Sequence, residues 1–321
     1  MKKIGFLLAF VSLGMYAQNW QQKADYKMDI DMDVKTFQYT GTQKLTYHNN
    51  SPELIKKVYY HLYFNAFQPG SAMDLSVQNT PDADKRMMVN KGTKEKPDMV
   101  SRISLLQPNE IGYLKIKSLK QNGEALKYHV EGTILEVELN EAIPSLRSAV
   151  FDMEFEGQVP NQVRRSGRES KEGVALSMTQ WYPKLAAYDD EGWHANPYLG
   201  AEFYADWGNY EVNISIDKKY TIGGSGYLQN PNEVGHGYET TKEDLKVKAK
   251  KGKLTWKFIA PNVHDFSWAA DSAYQHITHQ VPNGPVVHLL FKEDLKGDRK
   301  ESWKKLPKVM DQLFDFYGNE V

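Results

Sequence analysis

Residues Tyr26–Val34, YKMDIDMDV, carry an apolar side chain at every second position: Tyr26, Met28, Ile30, Met32 and Val34, with lysine and aspartate between them. Successive side chains of a β-strand point to opposite faces, so this alternation predicts a strand with one face against a core and the other in water. Working outward, further strands are expected at 42–48 and at 56–64, KKVYYHLYF, each bounded by Gly, Asn, Ser or Pro. Residues 66–102 lose the alternation and are rich in Pro, Asn, Asp and Lys, which reads as a long surface loop or an insertion with a short helix. The strand pattern returns at 111–119, 125–130, 133–139 and 149–156, with Gly123 and Gly132 placed for turns. Segments 210–216, 220–226 and 254–260 complete a mainly β, mainly antiparallel domain reaching to about residue 270.

After Pro285 the pattern changes. VVHLLF at 286–291 reads as a buried strand, and residues from about 298 to 317 as a helix. Trp303, Leu306, Met310, Leu313, Phe314 and Tyr317 recur at steps of three and four and so share one apolar face. Pro307 is expected to kink this helix or to mark its first turn, and Gly318 supplies a stop. A lone strand and one amphipathic helix cannot bury their own apolar faces, so a further packing partner is expected.

The 321 residues carry a formal net charge of -1, with acids and bases interspersed, which leaves no electrostatic footprint for nucleic acid. The lysine run KVKAKKGK at 246–253 reads as the solvated side of a strand and turn. At the N-terminus, Lys2 and Lys3, an apolar stretch from Ile4 to Gly14 and the small residue Ala17 form the pattern of a signal peptide over 1–17. No later segment is long and apolar enough to span a bilayer, so an exported protein, periplasmic or extracellular, is expected. The chain has no cysteine, hence no disulfide, no lipid anchor on Cys and no thiolate chemistry. Aromatic residues make up 12%, which suits a packed β core or a face that binds peptide or glycan.

Three stretches carry a family resemblance. They are Thr179–Gly208, TQWYPKLAAYDDEGWHANPYLGAEFYADWG, which contains Pro197–Gly200 and Phe203–Gly208; Val263–Ala270, VHDFSWAA; and the strand pattern from Tyr210 to Ile216. Together they resemble, loosely from residue 26 to the C-terminus, the first part of the aminopeptidase N type of zinc metallopeptidase, in a distinct, secreted bacterial branch. The resemblance implies a mainly β fold: a saddle-like antiparallel β domain at 18–275, followed at 276–321 by the first strand and helix of an incomplete thermolysin-like α+β catalytic domain. It also implies peptide or protein substrates and zinc in the complete enzyme.

In that family a glutamine on the β domain lines the pocket for the first residue of the substrate, and Gln180 occupies the matching place. A side-chain amide donates and accepts, so it can orient a peptide amine without adding charge. The competing reading is that Gln180 ends a strand and satisfies a neighbouring backbone group while Trp181 and Tyr182 fill the core. Many family members continue the Thr-Gln with Phe-Glu-Pro, whereas this chain has Trp181-Tyr182-Pro183-Lys184. In Val263–Ala270 the Asp, Phe and Trp read as structural.

The family's His-Glu-x-x-His helix, its Gly-x-Met-Glu loop and its oxyanion tyrosine have no match in the 321 residues, and none of the nine histidines is followed by glutamate. The chain is therefore expected to lack peptidase activity by itself and to need a catalytic domain as partner. The competing class is a non-enzymatic exported β protein that binds peptide, glycan or another protein. His276 and His279, with His264 and His288 near in sequence, invite a metal site, but no third ligand can be nominated and Ile277, Thr278 and Val281-Pro282 favour extended or turning backbone. Asp189, Asp190 and Glu191 are more simply a solvated turn than a calcium or acid–base site. Gly224-Ser225-Gly226 lacks the flanks of a nucleophile elbow and reads as a turn between strands.

Overall fold

The computed structural model describes residues 20–81, 83–200, 204–292, 295 and 297–319, so the expected signal peptide lies outside the described residues. The alternating segment forms the strand Lys23–Asp33, with Tyr26, Met28, Ile30 and Met32 buried and the lysine and aspartates between them exposed. It sits in an eight-stranded sheet in the order Tyr227–Leu228, Lys253–Val263, Gly208–Asp217, Lys23–Asp33, Gln38–Asn49, Arg147–Gln158, Tyr113–Gln121 and Glu124–Ala125. Neighbours pair antiparallel except Lys23–Asp33 and Gly208–Asp217, which run parallel with Tyr26 opposite Tyr210 and Ile30 opposite Ile214. A parallel pair needs a long connection, and the chain between residues 33 and 208 supplies it. At the start of that pair Gly208 is pressed so close to the Ala24 carbonyl that a Cβ could not be accommodated.

One face of the sheet is apolar, built from Leu45, Tyr47, Phe151, Met153, Phe155, Val212, Ile214, Trp256 and Phe258 beside the first strand. The other carries charge, including the pair Lys27–Glu211 at 2.8 Å. Two four-stranded sheets cover the apolar side. One has the order Lys184–Leu185, Ile55–His61, Ile134–Ile143 and Lys127–Glu131; the other Gly167–Arg168, Leu176–Met178, Trp268–Asp271 and Thr221–Gly224. The strand expected at 56–64 stops at His61, and Tyr63–Ala66 continues as a 3-10 turn whose Tyr63, Phe64 and Ala66 are buried. Residues 66–102 contain a helix, Ala72–Asn79, capped by the Ser71 side chain accepting from the Asp74 N–H, and two short paired strands.

The strand expected at 286–291 is not alone. Val286–Lys292 pairs with Tyr274–Gln280 in a hairpin, because the β-branched Ile277 and Thr278 suit extended backbone. The helix then runs Asp298–Asn319 with Pro307 well inside it, so Pro307 does not mark a first turn. Trp303 stacks on Phe291 at 5.4 Å and Asp311 meets His279 at 2.6 Å. On the apolar face Leu306 and Met310 are half-buried, whereas Leu313, Phe314 and Tyr317 are exposed, as are Val309 and Phe316 beside it.

Candidate functional site

The strand Leu176–Met178 ends where the chain turns sharply, and Gln180 takes a left-handed backbone with φ of 49°. A non-glycine residue adopts this region only when its surroundings hold it there. The anchor is Asp265, whose Oδ2 accepts from Gln180 Nε2 at 2.9 Å. Behind the turn Trp181 and Tyr182 are fully buried. The Trp181 indole donates to the Phe266 carbonyl at 3.0 Å, and the Tyr39 hydroxyl donates to the Trp181 carbonyl.

Asp265 gathers four donors. Besides Gln180 it accepts from the Tyr182 hydroxyl at 3.0 Å and the Phe266 N–H at 2.8 Å, and it pairs with Lys184 Nζ at 3.1 Å. Lys184 is only 2% exposed and also donates to the His264 carbonyl at 2.7 Å. Burial pulls the Lys184 ammonium below the usual lysine range, and the Asp265 charge pulls it part of the way back. Chemically this is a clamp joining the segment 180–184 to the segment 264–266. Trp268 packs edge-on against Trp181 beside this clamp.

Thr179, one residue before Gln180, lines a cleft of about 1010 Å³. Its lining also includes Gly224, Ser225 and Trp268, and Val286, His288 and Leu290 of the hairpin. The Thr179 hydroxyl and the Trp268 indole N–H are buried there without a hydrogen-bond partner. Gln180 itself turns away from this lining, toward Asp265. Ser225 is a turn residue: its N–H and hydroxyl both donate to the Ser267 carbonyl, at 2.9 and 3.2 Å.

The histidines divide. His276 and His288 meet at 2.9 Å and both pack on the Tyr238 ring, His288 stacked and His276 tilted, whereas His279 goes to Asp311 and His264 packs on Trp207. Among the described residues no three His, Asp or Glu side chains come together as a metal-binding group. Asp189 accepts from the Glu191 N–H at 2.9 Å and from the Tyr204 hydroxyl at 3.0 Å, and it pairs with His194, across the turn between Tyr188–Asp189 and Gly192–Trp193.

Two buried titratable residues escape the sequence pattern. Asp206 is 9% exposed, its Oδ2 has no partner, and burial, aided by the Asp189 charge, pushes its carboxyl up to about 7 against the pull of the Tyr188 N–H. His61 is held neutral: burial and the nearby Lys184 charge bring it down to about 4. An isolated polar residue among apolar neighbours carries no periodic signal, so only its burial in the fold exposes it.

No protein-family model matches the chain, and no curated protein is significantly similar to it. Solved structures do match. A mutant of a two-domain M1 zinc metallopeptidase bound to L-arginine has 11% identity and a TM-score of 0.50, over 93% of this chain and 53% of that one. A mutant M1 zinc metallopeptidase from Deinococcus radiodurans, bound to a Tyr-Ser-Ala substrate, has 11% identity and a TM-score of 0.46, over 89% and 52%. This chain spans about half the length of the structures it matches. At this identity the likeness is one of fold: the chain is mainly β and shares the architecture of the N-terminal part of M1 metallopeptidases.

Proposed function

We propose that this chain forms the N-terminal substrate-cleft region of an exported, zinc-dependent, aminopeptidase-like metallopeptidase that acts on peptides or proteins in the periplasm or outside the cell. The observation that carries the reading is the fold-level likeness to a two-domain M1 zinc metallopeptidase over 93% of the chain. Supporting it is the cleft between the β domain and the hairpin, walled by Thr179 immediately before Gln180. On this reading residues 18–275 provide the substrate-facing β domain, and 276–321 begin a thermolysin-like catalytic unit whose other part supplies zinc ligands and base.

Gln180 has the chemistry for a substrate contact even though its Nε2 is committed to Asp265. Its carbonyl oxygen takes no hydrogen bond among the described residues and can accept from the amine of a peptide. Asp265 would then hold the amide by its nitrogen and leave the oxygen for an amine that reaches Gln180 beside the cleft rather than within its lining. The test is titration of the purified chain with a tripeptide bearing a free amine, against its N-acetylated form. Preference for the free amine that disappears in Gln180→Leu supports the role; equal binding of both peptides overturns it. The same preparation is expected to show no peptidase activity, and zinc-dependent cleavage that copurifies with the chain would overturn the division of labour.

A further inference from the structure

The strand Lys127–Glu131, KYHVE, forms one edge of a four-stranded sheet, and all five of its residues are exposed. Its inward side pairs with Ile134–Ile143. Among the described residues, no backbone hydrogen bond beyond that pairing reaches residues 127–131. An open edge of this kind is a template for another strand, and native proteins guard it with short length, edge charges, a proline, a bulge or a cover. This edge has neither proline nor bulge; its guards are its five-residue length and the charges of Lys127 and Glu131, which exclude like-charged edges but complement each other in a second copy.

The order of residues on the edge is self-complementary. Laid antiparallel against a second copy about a two-fold axis through His129, Lys127 falls opposite Glu131, Tyr128 opposite Val130, and His129 opposite itself. Residues directly opposite share a face of the sheet, so each of these pairs can touch. Lys127 and Glu131 point to one face and supply two opposite-charge pairs. Tyr128 and Val130, 39% and 40% exposed, point to the other and supply two aromatic–aliphatic pairs. Any shift of register by two residues loses at least one of these matches, and a parallel arrangement sets Lys127 against Lys127.

We infer that this edge joins two copies of the chain into a two-fold dimer, making one continuous eight-stranded sheet from the two four-stranded ones. The contact is isologous and closes on itself, so it does not propagate into fibres. Two five-residue edges bury less than a standard stable interface, so this is a weak dimer seen only at high protein concentration. The inference does not depend on the peptidase reading.

The axis gives a specific test, because the chain has no cysteine of its own. In His129→Cys the two new thiols would sit opposite one another, with Cβ atoms about 4.5–5.5 Å apart, near disulfide range. Mild oxidation with copper phenanthroline is expected to convert His129→Cys to a covalent dimer at least tenfold faster than Lys94→Cys, a control on an exposed loop. Sedimentation equilibrium should show the native chain dimerising, Lys127→Glu as monomer, and Lys127→Glu combined with Glu131→Lys as dimer again. A monomeric native chain at the highest soluble concentration, equal cross-linking rates, or no rescue by the double swap would overturn the inference.

Discussion

The clamp around Asp265 and the C-terminal hairpin and helix solve the same problem in opposite ways. At the clamp, Lys184, Trp181 and Tyr182 are sealed from water and their polar groups are matched to partners. In the helix Asp298–Asn319 no described side chain is buried; its apolar stripe is half-covered at Trp303, Leu306 and Met310 and exposed at Leu313, Phe314 and Tyr317. The difference teaches where cooperative stability resides. A buried ion pair is expensive to break from one side, whereas a half-covered stripe has little to lose.

The largest effect is expected from Asp265→Asn. It strands the Lys184 ammonium in the interior and puts an NH2 donor in place of the Oδ2 that accepts from Gln180 and Lys184, while the remaining oxygen can still accept from Tyr182 and the Phe266 N–H. Loss of one partner of a buried pair costs about 3–5 kcal/mol. Lys184→Met added to Asp265→Asn should recover most of that, because no charge is then left unpaired. Urea unfolding measures both; if the double variant is as unstable as the single, the charge is not what the clamp protects.

Next come the two buried groups beside the clamp, which respond to pH in opposite directions. Asp206, pushed up to about 7, keeps its proton in the folded state across a range where the unfolded chain has released it. Its contribution therefore falls as pH rises from about 4 to about 7. His61, brought down to about 4, stays neutral while the unfolded chain protonates below about 6.5, so its contribution falls as pH drops through that window. At about 1.4 kcal/mol per pKa unit the contributions are on the order of 4–5 kcal/mol for Asp206 and 3–4 kcal/mol for His61, and between pH 4 and 6.5 they largely offset. Asp206→Asn should unmask the histidine: its urea midpoint rises with pH to about 6.5 and then levels, well above the native chain at pH 7.5. His61→Gln should show the reverse slope. Parallel profiles for the native chain and both variants would mean that neither group carries this linkage.

How much of this was legible beforehand depends on whether a residue belongs to a pattern. Tyr26, Met28, Ile30 and Met32 announce a buried face by alternation, and the hydrophobic steps from Trp303 to Tyr317 announce a helix. The parallel pairing of Tyr26 with Tyr210 is invisible in sequence, because it joins segments whose own alternation says nothing about the neighbour each will meet. The same holds for Val286–Lys292, whose partner Tyr274–Gln280 has a weak apolar pattern. Gln180 was readable as a residue type in a recognisable run. Its direction was not, since a left-handed turn and a carboxylate 85 residues away set it.

The smallest effect is expected at the exposed end of the helix, and it is the one that decides whether the comparison is right. Leu313 and Phe316 are 44% and 62% exposed, so Leu313→Ser with Phe316→Ser removes little apolar surface that folding had buried. Surface changes of this kind stay within about 0.5 kcal/mol. Global unfolding should be unchanged while binding of a hydrophobic dye falls, because the stripe is what the dye reads. Pro307→Ala restores a backbone donor inside the helix and should slow amide exchange there without moving the urea midpoint. If instead the double serine variant loses 2 kcal/mol or more, the helix unfolds together with the clamp, and the open stripe is part of one cooperative core rather than a face awaiting cover.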